Sequence, residues 1–190
     1  MKRCRPGRSA PIGADCGIDG RPDSLTDVLP QIRLLCLVLF SVSLIGCDHV
    51  TKELAVAQFR DAPYQLVSGV LTLTYTENRD MAFGLLAQFM EEAPRLWLLT
   101  SVKVLAVVGG AGYLLFRHKR ASSAELLGIS LVVAGAAGNL IDRLSRGYVI
   151  DFLRLPHWPV FNVADIAICL GYGVLLLRVL RSDGIVLSKS

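Results

Sequence analysis

The chain has 190 residues, of which 53% are hydrophobic and only 19% charged. A soluble domain carries about 25% charged residues, so this balance points to a membrane protein and excludes a chain disordered throughout. The net charge of +4 is too small and too scattered for a nucleic-acid binder, and five cysteines without a CxxC pair indicate neither a disulfide framework nor a zinc site.

Residues 1–30 are polar, rich in Arg, Gly, Pro and Asp, and without period; they read as a disordered cytoplasmic tail. An apolar segment begins near Gln31 with Leu34–Cys47 and continues amphipathically to Phe59. In the connection that follows, Leu71, Leu73 and Tyr75 alternate with Thr72, Thr74 and Thr76, the period of a half-exposed strand. A small β-sheet on the membrane surface is therefore expected there, and the amphipathic stretch Phe89–Leu98 is expected to lie along the interface. Further apolar segments run Leu96–Phe116, Glu125–Ile141 and Val163–Leu180, and residues 182–190 form a short tail. A helix needs about 20 residues to cross a hydrocarbon core of about 30 Å. The second segment reaches that length alone; the others reach it only with polar residues at their ends. The fold expected is a mainly α membrane protein, with four transmembrane helices over residues 31–181.

Lys and Arg in the flanking loops orient the bundle. The amino-terminal flank has Lys2, Arg3, Arg5, Arg8, Arg21 and Arg33, the turn between spans two and three reads Arg117–Arg120, and the carboxyl tail carries Arg178, Arg181 and Lys189. Both termini are thus expected in the cytoplasm. Connections 60–95 and 142–162 then share the outer face.

Ionisable groups in apolar spans are costly and mark function by default. Asp48 and Lys52 stand i, i+4 at the outer end of the first span; Asn139, Asp142 and Arg143 stand i, i+3, i+4 at the outer end of the third. Asn162 and Asp165 open the fourth, Asp151 lies fourteen residues before Asp165, and Asn78 and Asp80 end the strand-like stretch. Under the topology above, all lie at one level of the bilayer. Lys103, mid-span, is the exception.

Hydrolase signatures are scarce. GxSxG and HExxH are absent, the three histidines are scattered, and Val174 stands where a GxGD motif would place its aspartate. Ser101 and Lys103, two residues apart on a helix, face different directions. Paired carboxylates remain: brought close, two such groups share a proton, one then accepting from water while the other donates to a carbonyl. Asp151 and Asp165 flank one short loop and form that pair at little cost in chain ordering.

The blocks Asp48–Lys52, Glu77–Gly84, Gly138–Phe152 and Phe161–Gly171, in this order, resemble lipoprotein signal peptidase, also called signal peptidase II. The resemblance implies a four-helix aspartic peptidase of the bacterial inner membrane. Such an enzyme cleaves diacylglyceryl-modified prolipoproteins before the lipidated cysteine, on the periplasmic side and without cofactor or metal. It implies Asp151 and Asp165 as the catalytic pair, and Asp48, Lys52, Asn78, Asn139, Asp142, Arg143 and Asn162 as supporting or substrate-binding residues. The implied partners are prolipoproteins and membrane lipids, with no nucleic acid, and the chain is expected to be monomeric. Two departures stand out. Asp80 and Met81 occupy positions where the family has a glycine and a small residue, and the tail 1–30 is longer than is usual in the family.

Each residue also has a plainer reading. Asp165 suits a helix N-terminus on dipole grounds, Asp48 and Lys52 suit an i, i+4 pair, and Asp142 and Arg143 suit an ion pair holding the third helix against the loop. Arg143 could alternatively meet a lipid phosphate or a substrate carbonyl. The asparagines suit caps or interhelical bonds, Ala134–Gly138 suits close helix packing, and Trp97 and Trp158 suit interfacial anchoring. Leu44–Cys47 resembles a lipobox, but the region before it is too long for a signal peptide. Other functions consistent with the sequence are a divergent homologue that binds lipoproteins and a small ion- or proton-path protein.

Overall fold

The computed structural model of the chain describes residues 25–79 and 91–182. Among the described residues four helices carry the fold: α1 (Leu25–Phe59), α2 (Glu92–Arg117), α3 (Ser123–Arg146) and α4 (Val163–Ser182). Each is long and apolar enough to cross a membrane. With 35 residues, α1 is about 50 Å long and overshoots a hydrocarbon core of about 30 Å. It starts at Leu25, upstream of the boundary expected at residue 31, and contains Pro30.

Three antiparallel strands among the described residues lie at one end of the bundle: β1 (Tyr64–Val67), β2 (Leu71–Asn78) and β3 (Val149–Arg154), in the order β1-β2-β3. The alternating stretch supplies β2, and β1 precedes it across a tight turn in which Gly69 has φ 71° and Val70 N–H donates to the Val67 carbonyl. The third strand is a correction: the connection 142–162, expected as a short loop, contains β3. Its residues Val149, Ile150, Asp151 and Phe152 are all buried, so it shows no alternation to read.

The segment Phe89–Leu98 also departs from expectation. From Glu92 onward it belongs to α2 rather than to a separate interfacial helix, while Phe89, Met90, Asp80 and Met81 lie outside the described residues.

Helix α3 is the central element. It packs against α1, α2 and α4, and its buried residues include Ala134, Gly135, Ala136 and Gly138. Ser122 caps its start, the hydroxyl accepting from Glu125 N–H at 3.2 Å. Gly147, at φ 80°, ends it and turns the chain directly into β3. After β3 the chain loops out and returns: Phe161 N–H donates to the Leu153 carbonyl at 3.0 Å, and Leu153 N–H donates to the Phe161 carbonyl at 2.8 Å. The loop is closed just before α4, which fixes the start of that helix beside β3.

The opposite end of the bundle is tied by a second polar cluster. Glu125 on α3 accepts from Tyr113 of α2 and pairs with Arg178 of α4, whose Nε donates to Ser122, and Arg33 of α1 donates to the Ala121 carbonyl.

Candidate active site

The site is built around one lysine. Lys52 is fully buried, and an ammonium has three hydrogens to place. Its Nζ lies 2.7 Å from Asp48 Oδ2 and 2.9 Å from Asp142 Oδ2, and donates to Asn139 Oδ1 at 3.0 Å. A buried charge is tolerated only when paired and fully hydrogen-bonded, and this one is. Asp48 uses its other oxygen to accept from Ala164 N–H at 2.9 Å, so a carboxylate of α1 satisfies an orphan donor in the first turn of α4. Gly138 makes room for that carboxylate: a Cβ there would stand 2.7 Å from Asp48 Oδ2. Asp142 also accepts from Ile150 N–H at 3.3 Å and so holds β3.

Asp142 and Arg143 do not act as the pair the sequence suggested. Asp142 turns to Lys52 and β3, with Arg146 Nε 3.8 Å away, whereas Arg143 donates to the Arg79 carbonyl at 3.0 Å and anchors the end of β2. Adjacent residues on a helix point about 100° apart, so each found its own partner.

The lysine sets the asparagines, and the asparagines set the aspartates. With its oxygen turned to Lys52, Asn139 directs Nδ2 to Asp165 Oδ1 at 2.8 Å. Asn162 is the N-cap of α4. Its Oδ1 accepts from Asp165 N–H at 3.0 Å, while Asp165 Oδ2 accepts from Asn162 N–H at 3.3 Å, a reciprocal capping box. The same Asn162 donates through Nδ2 to Asp151 Oδ1 at 2.7 Å, and its amide also faces Asn139 Oδ1 and the Ile150 carbonyl. Asn78 Nδ2 donates to Asp151 Oδ2 at 2.7 Å. Strand register explains that last bond: Asn78 pairs with Val149, which places its side chain diagonally beside that of Asp151 on one face of the sheet.

Asp151 and Asp165 thus meet through Asn162, which touches both. Burial, and next the charge of Asp165, push the Asp151 carboxyl up to about 7, against the lowering effect of the Asn78 and Asn162 bonds and of Lys52. Asp151 is only 1% exposed, whereas Asp165 is half-buried. Both line a cavity of about 600 Å³. Its walls are Lys103 on α2, Asn139 and Arg143 on α3, Ile166, Cys169 and Leu170 on α4, the sheet, and the returning loop at Trp158–Phe161. Lys103, for which sequence reasoning had no role, therefore belongs to the site. The apolar α4 residues and the loop were also missed. Of these, Cys169 and Leu170 follow Asp165 by about one helical turn and were legible as spacing alone.

The family model for signal peptidase (SPase) II, Peptidase_A8, matches residues 40–181. The chain belongs to the signal peptidase II family. It is 39% identical over 165 residues to the lipoprotein signal peptidase of Syntrophotalea carbinolica, covering 83% of this chain and 96% of that protein. It is 39% identical over 159 residues to that of Geobacter sulfurreducens, covering 81% and 96%. In fold it is similar to a solved bacterial membrane enzyme, with a TM-score of 0.67 and 23% identity over 82% of this chain and 93% of that one. The match places the chain among peptidases of the signal peptidase II type, in a bacterial membrane.

Proposed function

We propose that Asp151 and Asp165 are the catalytic pair of this signal peptidase II family member. The observation that carries the reading is that Asn162 bridges the two carboxyls on the wall of one cavity, donating through Nδ2 to Asp151 and through its backbone N–H to Asp165. Asp151 retains a proton near neutrality because ionising it would put a second charge into a buried site. Asp165, held as an acceptor by Asn139 and the Asn162 N–H, takes a proton from water as the water oxygen bonds to the scissile carbonyl carbon. Asp151 gives its proton to the carbonyl oxygen, leaving a neutral gem-diol. In the collapse, Asp165 returns a proton to the amide nitrogen, the C–N bond breaks, and Asp151 recovers a proton from a diol hydroxyl. The pair ends as it began.

Asp48, Lys52, Asn139, Asp142 and Asn162 position this pair, while Arg143 and Asn78 hold the sheet end beside it. The substrate class is the diacylglyceryl-modified prolipoprotein, cut before the lipidated cysteine. Helices α2 and α4 both pack on α3 and flank the cavity, which supports lateral entry of a membrane-borne chain between them. The enzyme acts as a monomer in the inner membrane, with both termini cytoplasmic and the sheet on the periplasmic side.

The test is cleavage of a diacylglyceryl-modified prolipoprotein peptide by purified protein, with Asp151→Asn and Asp165→Asn beside the wild type. Loss of activity in both folded variants supports the pair; full activity in either refutes it.

A further inference from the structure

Lys103 lines the same cavity as Asp151 and Asp165. Gly110 on α2 packs against Val133 of α3, and Lys103 lies seven residues, about two turns, closer to the sheet end. On the antiparallel α3 that is the level of Asn139, where both residues line the cavity. The electrostatic neighbours of Lys103 are Arg143, Asp165, Asp151 and Lys52. Among the described residues no carboxylate stands within 4 Å of its ammonium, whereas Lys52 has all three of its hydrogens committed. Asn139 and Asn162 likewise spend their amides on each other and on the aspartates. Lys103 is thus a cation with open donors, across the cavity from two acids.

What the reaction requires there is specific. An extended peptide in an apolar cleft brings carbonyls that water no longer satisfies. Hydrolysis then turns one of them into a carboxylic acid, which gives its proton to the released amine and becomes a carboxylate facing a pair that already carries one negative charge. Like charges in a low-dielectric cleft repel strongly.

We propose that the Lys103 ammonium receives the carbonyl end of the scissile bond. It hydrogen-bonds that carbonyl in the bound substrate and pairs with the carboxylate into which the carbonyl is converted. The proposal rests on the peptidase reading and names a binding residue within it. It makes Lys103 a determinant of how tightly the released signal peptide is held.

The experiment uses the full chain in detergent micelles. Wild type is first shown to cleave a diacylglyceryl-modified prolipoprotein peptide; failure at this step sinks the peptidase reading itself. The released peptide is identified by mass spectrometry, then synthesised with a free carboxylate and with a carboxamide end. Both forms are measured as competitors of cleavage. A charge-assisted hydrogen bond contributes about tenfold or more in affinity, so wild type should bind the acid about tenfold more tightly than the amide. Lys103→Met should lose that preference while still binding the amide, and Lys103→Arg should retain most of it. Wild type that binds the two equally overturns the proposal without any variant, as does an acid preference that survives in Lys103→Met. A general structural defect would weaken both peptides together and leave their ratio unchanged.

Discussion

The protonation of Asp151 sets a testable limit on activity at alkaline pH. Its carboxyl, ordinarily near 3.8, is pushed up to about 7 by burial and then by the Asp165 charge. The proposed mechanism needs it protonated, so kcat/KM should fall as pH rises through about 7. At pH 8 about a tenth of the free enzyme would keep the proton, and each further unit should cost about another factor of ten. The bond from Asn78 favours the ionised form and so holds the value down. Removing it in Asn78→Ala should carry the alkaline limb upward. One hydrogen bond to a charged group is worth about 1.5 kcal/mol, or about one pH unit. The assay is kcat/KM for a diacylglyceryl-modified peptide between pH 5.5 and 9, in wild type and variant. The amplitude in Asn78→Ala can fall for other reasons; the position of the limb is what decides. A profile flat through pH 9, or a limb that moves to lower pH in the variant, would refute the reasoning.

Asp151→Asn should be inactive, and its stability should depend less on pH. The raised wild-type value means that the neutral form is favoured in the fold, so wild type loses stability as pH climbs from about 4 through about 7, and the amide does not. Thermal unfolding in micelles at pH 5 and pH 8 measures this; equal pH dependence in the two proteins would count against it. Lys52→Met leaves Asp48 and Asp142 buried without their cation and should destabilise by about 3–5 kcal/mol, read as a lowered denaturation midpoint. Gly138→Ala should cost about 1–3 kcal/mol, because the added methyl meets Asp48 Oδ2 and that carboxylate is fixed at both oxygens, by Lys52 and by Ala164 N–H. An unchanged midpoint would show that Asp48 is free to move.

Helical spacing carried much of the architecture into view. Asp48 and Lys52, four residues apart, do pair, and Asn162 and Asp165, three apart, do share the start of α4. Both relations are local to a helix and need no tertiary knowledge. The contacts that assemble the site are of another kind. Asn162 reaches Asp151 only because the loop after β3 closes on Phe161, and Arg143 chose a backbone carbonyl, which no pattern of side chains encodes. Strand β3 was hidden because a strand buried on both faces has no period. Lys103 was visible as a charge in an apolar span, yet its meaning depends on which wall of which cavity it faces.

The arrangement also explains why amides stand between Lys52 and the acids. An ammonium paired directly with Asp151 or Asp165 would favour the ionised form of that carboxyl and oppose the shared proton that the chemistry needs. Lys52 instead spends its charge on Asp48 and Asp142, and only its third hydrogen points toward the site, onto Asn139 Oδ1. That bond fixes which end of the Asn139 amide faces Asp165. The α4 cap does the same for Asn162, whose oxygen is taken by the Asp165 N–H, leaving the nitrogen for Asp151. Orientation is therefore transmitted without charge. The ions that stabilise the fold stay one amide away from the carboxyls proposed to move protons, so Lys52 acts on the Asp151 carboxyl only through space, behind burial, the Asp165 charge and the two asparagine bonds.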